Sequence, residues 1–316
     1  MTPPLESITA ATIGVRDFAP HLDLYCGELG YAVEAEGVVP AAVADRLWGA
    51  GAGDVEVRAL AAAGAATGRI HLLKVNDPVA PPVHPHTLDL GLSGVNLYTR
   101  DIAASYERMT AAGYVWISPP QGFDVPVGEL TVRVVEGYCL GPDGVGVVFV
   151  EPAGPRPTAA WLADPDRRHT ELTSVVCHVP DFEAELAFWE ALGLSAGYDV
   201  TFGAPGLETM ADLPPGTRLR LAFVAGRDGG TTRIEMVRAD RTRADRRSTQ
   251  RPARGLGHTA WSARTGDLDD ALALAAGAGG RVACPPFAAE TPLHGASRLA
   301  MVETPNGISV ELWEPR

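Results

Sequence analysis

The sequence predicts an α+β protein built from four tandem βαβββ modules. Three observations predict it. A β-branched run, an Asp and an amphipathic helix ending near Gly recur four times along the 316 residues. Each helix is followed by further strand-like runs. Matching turn sequences precede the last strand of the second and fourth units.

The first repeat runs from Ile8 through Asp17 to Gly30, the second from Gly94 through Asp101 to Gly113. The third runs from Ser174 through Asp181 to Gly193, the fourth from His258 through Asp267 to Gly279. The Asp suits a helix N-cap, because its carboxylate accepts the free N–H groups of the first turn. The Gly suits the left-handed backbone at a helix end. Strand runs follow: Leu130–Val135 and Gly146–Val150 around the turn Gly141-Pro-Asp-Gly144, and Arg298–Val302 and Ile308–Trp313 around Thr304-Pro-Asn-Gly307. In the third unit, Arg218–Val224 and Thr232–Val237 flank Gly226–Gly230. Pro-rich segments at Pro78–Pro85 and Pro152–Arg168 read as linkers. The expected organisation is a paired domain over 1–152, a linker over 153–168 and a second paired domain over 169–316.

The net charge of −13 argues against a general nucleic-acid binder, which needs basic surface. One basic stretch, Arg238 to Arg254, reads as a solvated linker or a local anion-docking site. Met1–Thr9 shows no signal-peptide pattern and no apolar run reaches membrane-span length, so a cytoplasmic protein off the membrane is expected. The four cysteines are far apart and form no CxxC pair, which argues against a zinc knuckle or a redox motif. His84 and His86 sit in the Pro-rich linker and read as surface residues.

Two carboxylates interrupt otherwise apolar strands: Glu235 in Arg-Ile-Glu-Met-Val and Glu311 in Ser-Val-Glu-Leu-Trp. Strand side chains alternate between faces, so each is either on the wet face or buried with a partner. His258 opens a further apolar strand.

The repeat resembles the vicinal oxygen chelate superfamily, which includes glyoxalase I, methylmalonyl-CoA epimerase, extradiol dioxygenases and bleomycin-resistance proteins. The resemblance rests on the strand–Asp–helix unit with Ala187–Leu194 and on Thr304–Pro315. It implies that paired modules curl into two open, cup-shaped mixed sheets, with metal ligands on the first and last strand of each module. The first-strand positions are Ala10, Gly94, Ser174 and His258; the last-strand positions are His71, Val148, Glu235 and Glu311. The spacing is internally consistent, with 54 residues from Asp17 to His71 and from Asp181 to Glu235. The resemblance thus implies a divalent metal (Fe, Mn, Co, Ni or Zn) on Glu235, His258 and Glu311 in the second half. Ser174 takes the fourth position. The first half, offering only His71, is read as metal-free.

Glyoxalase-like chemistry makes Glu235 or Glu311 both ligand and base. His178, four residues after Ser174 on the same strand face, is a candidate base or donor. His294 roughly matches the loop histidine of extradiol dioxygenases. Met301 stands where those enzymes keep a tyrosine, and Ser174 where they keep a histidine; both departures count against ring cleavage. The leading expectation is metal-dependent lyase or isomerase chemistry, with proton transfer through an enediolate-like intermediate, on a small molecule with adjacent oxygens. The alternatives are an extradiol-type dioxygenase and a metal-free binding or resistance protein. The chain is expected to work as a monomer or homodimer.

Overall fold

The computed structural model describes residues 5–78, 88–154, 156–241, 243–247 and 254–316. His84, His86 and much of the Arg238–Arg254 stretch lie outside them. The four modules are present. Module 1 comprises β1 (Leu5–Val15), α1 (Phe18–Leu22), β2 (Ala32–Val39), α2 (Ala41–Trp48), β3 (Val55–Ala61) and β4 (Arg69–Lys74). Module 2 comprises β5 (Asp89–Thr99), α3 (Ile102–Ala111), β6 (Val115–Trp116), β7 (Gln121–Val127), β8 (Leu130–Leu140) and β9 (Gly146–Glu151). A short helix, α4 (Ala159–Ala163), leads into module 3: β10 (His169–His178), α5 (Phe182–Ala191), β11 (Ser195–Phe202), α6 (Pro205–Met210), β12 (Leu219–Ala225) and β13 (Arg233–Ala239). The backbone of β14 (Arg243–Arg247) pairs with β5, so part of the basic stretch is a strand and not a linker. Module 4 comprises β15 (Gly257–Thr265), α7 (Leu268–Gly277), β16 (Arg281–Thr291), β17 (Gly295–Glu303) and β18 (Ser309–Pro315).

All four repeated aspartates cap their helices. Asp17 accepts from Ala19 N at 3.2 Å, Asp101 from Ala104 N at 2.8 Å, Asp181 from Ala184 N at 3.0 Å and Asp267 from Asp270 N at 3.0 Å. Each satisfies an N–H left free by the helical bonding pattern.

The pairing of the modules differs from expectation. Consecutive modules do not form the two sheets. Module 1 joins module 4 in an eight-stranded sheet ordered β16-β17-β18-β15-β1-β4-β3-β2. Module 2 joins module 3 in a ten-stranded sheet whose main path is β11-β12-β13-β10-β5-β9-β8-β6. The seams are antiparallel, β1 on β15 and β5 on β10. The expectation followed sequence adjacency, which is the commoner arrangement. Four modules with one hydrophobic pattern present interchangeable edges, so the pattern alone does not select the partner. The division at 153–168 therefore separates modules 2 and 3, which share a sheet.

One apolar core joins both sheets, drawing on Leu5, Val95, Val175 and Trp261 from the four first strands. Trp189 of α5 lies 5.8 Å from Trp261 of β15. Its indole donates to buried Glu185 at 3.0 Å, and Glu185 also accepts from Asn306 of the module 4 turn at 2.9 Å. Burial of each large side chain here contributes about 1.5–3 kcal/mol.

This pairing makes a direct prediction. A fragment of residues 169–316 lacks the strand partners of both its modules and should not fold as a monomer, whereas mixing it with 1–152 should restore the native circular dichroism spectrum. A cooperative, monomeric melt of 169–316 alone would contradict the pairing.

Candidate functional site

The ten-stranded sheet curls around a cavity of about 300 Å³. Its walls are the alternate residues that face the concave side: Val132, Val134, Glu136 and Tyr138 on β8, Asn96 and Tyr98 on β5, and Arg233, Glu235 and Val237 on β13. Ser174, Val176 and His178 face it from β10, so Ser174 and His178 share one face of that strand. Leu207 and Met210 of α6 close one side. At the mouth, the Tyr198 hydroxyl donates to the Pro126 carbonyl at 2.7 Å and so ties β11 of module 3 to the β7–β8 hairpin of module 2.

Two carboxyl groups stand in this apolar space. Asn96 Nδ2 donates to Glu235 Oε2 at 2.7 Å. Burial pushes the Glu235 carboxyl up to about 7, against the lowering influence of the Arg233 charge and of hydrogen bonding from Ser174 and Asn96. Burial pushes Glu136 up to about 8, and the Glu235 charge adds to the rise. Tyr198 is pushed up to about 12 by burial and then by both carboxylates, which places all three groups within electrostatic reach of one another. The Arg233 guanidinium carbon lies over the Phe223 ring, 3.8 Å from its centroid, and Arg233 donates to the Tyr98 hydroxyl at 2.9 Å. Neither Glu136 nor Asn96 stood out in the sequence. A signal was present for Glu136: along β8 it falls in step with Val132, Val134 and Tyr138, a carboxylate on the apolar face of an alternating strand.

The other cup, in the eight-stranded sheet, is filled. Helix α2 descends from the β2–β3 connection and packs Ala44, Leu47 and Trp48 against Leu73, Leu299 and Met301. Trp48 Nε1 donates to Glu311 Oε2 at 2.9 Å. Glu311 Oε1 is also hydrogen-bonded to His294 Nε2, and the His294 ring lies 5.2 Å from that of His71 and stacks 4.9 Å from Trp313. Glu311 is 1% exposed, so its two partners are what make its burial tolerable.

The three expected metal ligands are not brought together. Glu235 lines the second cup and Glu311 the first. His258 faces neither. In modules 1, 2 and 3 the last-strand position pairs with the residue two after the first-strand position: Thr12 with His71, Asn96 with Val148, Val176 with Glu235. In module 4 Glu311 pairs with Ser262, which makes Ala260, not His258, the match to Ala10, Gly94 and Ser174. Between Thr12↔Ala260 and Ile13↔His258 the ladder skips Thr259, a β-bulge. A bulge reverses the alternation beyond it. His258 thus turns onto the core face opposite Ile13, where it accepts from Trp261 Nε1 at 3.0 Å. Burial holds it down at about 3.

The donor sets do not fit the implied metal. Among the described residues no three His, Cys, Asp or Glu side chains form a group able to hold an ion. In the second cup the four family positions are Gly94, Val148, Ser174 and Glu235, and of these only Glu235 carries a carboxylate or imidazole. In the first, His294 and Glu311 bond each other and Trp48 fills the remaining space.

No family model and no curated protein matches the sequence. Solved structures do match in fold. Glyoxalase I from Zea mays aligns over 97% of this chain and 92% of its own at 16% identity, with a TM-score of 0.63. A point mutant of that maize enzyme gives 17% identity over 97% and 92%, with a TM-score of 0.64. A putative dioxygenase from Bacillus subtilis aligns over 99% of this chain and 86% of its own at 13% identity, with a TM-score of 0.61. The chain therefore has the vicinal oxygen chelate fold in its four-module form. Among the described residues no helix is long and apolar enough to cross a membrane.

The carboxyl pair predicts a pH signature in stability. Folded pKa values near 8 for Glu136 and 7 for Glu235 lie above the ordinary value of 4.5, so the folded protein retains protons that the unfolded chain has already released. Their contribution to stability falls as pH rises from the ordinary carboxylate range to the folded values, then levels off. The melting temperature of Glu136→Gln relative to wild type should accordingly climb between pH 5 and pH 8 and be flat above. A difference that does not vary over that range would show Glu136 to be an ordinary surface carboxylate.

Proposed function

We propose that the protein admits a small, largely apolar molecule to the second cup and moves a proton on it with Glu235, in lyase- or isomerase-type chemistry. One observation carries this reading: Glu235, pushed up to about 7, faces a cavity of about 300 Å³ with walls that are mostly apolar. A base that titrates near neutrality is suited to take a proton and return it. Strongly perturbed carboxyls in a cleft mark functional sites more often than structural ones. Asn96 fixes one oxygen of Glu235, and the carboxyl lines the cavity. Tyr198 ties β11 to the β7–β8 hairpin beside the cavity. The resemblance to glyoxalase I in fold agrees with such chemistry, although the first cup, which holds Glu311, is packed shut.

The apolar walls also suit a binding or resistance protein, and one experiment separates the readings. Small carbonyl compounds with an adjacent oxygen are incubated with the protein in D₂O, and loss of the C–H signal is followed by proton NMR. Exchange should occur with the wild type and fall about 10²–10⁴-fold in Glu235→Gln. It should be unchanged in Glu311→Gln once folding is verified. Saturable binding of these compounds without exchange of any of them would assign the cup to binding alone. Exchange that survives Glu235→Gln would remove Glu235 from the role of base.

A further inference from the structure

The polar groups of the second cup are unbalanced. Glu136 and Glu235 share the cup with Arg233, and among the described lining residues the buried atoms without a partner are Asn96 Oδ1, Ser174 Oγ and Arg233 Nε. The Glu136 carboxyl receives no hydrogen bond from any described residue, and none contributes to its pKa. Glu235 accepts from Asn96 at 2.7 Å and its carboxyl lines the cavity. Asn96, 7% exposed, commits its Nδ2 to Glu235 and leaves its Oδ1 buried without a partner. A buried acceptor without a donor costs about 1–3 kcal/mol, and such a cost is relieved when a ligand supplies the donor.

We propose that the second cup is built for an organic cation, a protonated amine on a compact apolar or aromatic body, with the ammonium group set among Glu136, Glu235 and Asn96 Oδ1. The inference rests on the second cup being the ligand site.

An ammonium group offers three donors and a charge, which matches the three acceptors. The charged groups facing Glu136 agree. From β13, Arg233 and Glu235 face the cavity together, and Arg233 is the main charge acting on Glu235, so that pair is internally compensated. Among the described residues Glu136 has no such counter-charge, and the charge acting on it is that of Glu235. Arg156 lines the cavity but is exposed, and His178 faces it from β10. Tyr138, Tyr198, Phe123 and Phe223 add aromatic surface, which favours cations over anions. Arg233 Nε also lacks a partner; its guanidinium carbon lies 3.8 Å from the Phe223 centroid and its Nη2 donates to Tyr98.

A cation bound beside Glu136 ionises it. Binding near pH 7 should therefore release about one proton, and affinity should rise about tenfold per pH unit until Glu136 is ionised in the free protein. A neutral ligand of the same shape releases none.

The test uses the full chain and three probes of one shape: 2-phenylethylammonium, 2-phenylethanol and phenylacetate. Titration calorimetry at pH 7 is run in two buffers of different ionisation enthalpy, which counts protons. The ammonium probe should bind at least tenfold more tightly than the alcohol and release about one proton. Glu136→Gln should abolish the preference for the ammonium while leaving the alcohol's affinity within about twofold. The wild-type comparison stands without the variant. Equal or tighter binding of the alcohol or phenylacetate, binding of the ammonium without proton release, or no binding of the ammonium at millimolar concentration would each overturn the inference. The deuterium-exchange assay is independent of these outcomes, so loss of the cation preference and loss of the proton-transfer reading are told apart.

Discussion

At the seam between β5 and β10, Asn96 pairs with Ser174, and β13 continues the sheet in parallel register with β10. That single registration places the Asn96 amide against the Glu235 carboxylate and turns both toward the concave face. Once the sheet curls, Glu235 is half-buried in an apolar cavity. A carboxylate so placed must be hydrogen-bonded, compensated or protonated. The structure uses all three: Asn96 bonds it, Arg233 compensates it, and its pKa rises to about 7. The chemistry proposed for the cup follows from this forced protonation equilibrium.

The two cups share one architecture and differ in how far a helix reaches in. In each, the odd-numbered module sends a short helix from the connection between its second and third strands. In the first cup that helix ends in Trp48, whose indole reaches Glu311 and completes the packing around His294. In the second, α6 ends in Met210, and a cavity is left. The buried polar groups respond accordingly. Glu311 is satisfied by protein groups, whereas Glu136 and Asn96 Oδ1 are left for an occupant.

The fold was legible from Asp17, Asp101, Asp181 and Asp267, because helix capping is local chemistry that depends only on residues two or three apart. The pairing of modules was not, because it is a choice among similar edges far apart in sequence. His258 shows a finer limit. Its strand and its burial were readable, but a bulge at Thr259 costs one residue of register and sends the side chain to the opposite face. Glu235 was found because a carboxylate in an apolar strand is conspicuous. Asn96 was missed because an amide draws less notice there, and its role exists only across the β5–β10–β13 junction. Glu136 was readable in principle from the alternation of β8 and was passed over because no family position falls there.

The most direct test is the ionisation of the two carboxyl groups themselves. Protein labelled with carbon-13 at the glutamate carboxyl carbon can be titrated by NMR, with Glu136→Gln and Glu235→Gln used to assign the signals. Two glutamates should titrate near pH 7 and 8, with Glu136 shifting downward in Glu235→Gln because the Glu235 charge is removed, and Glu235 little moved in Glu136→Gln. If all glutamates titrate in the ordinary range near 4.5, the cup is open to water, and the account of Glu235 as a near-neutral base is wrong.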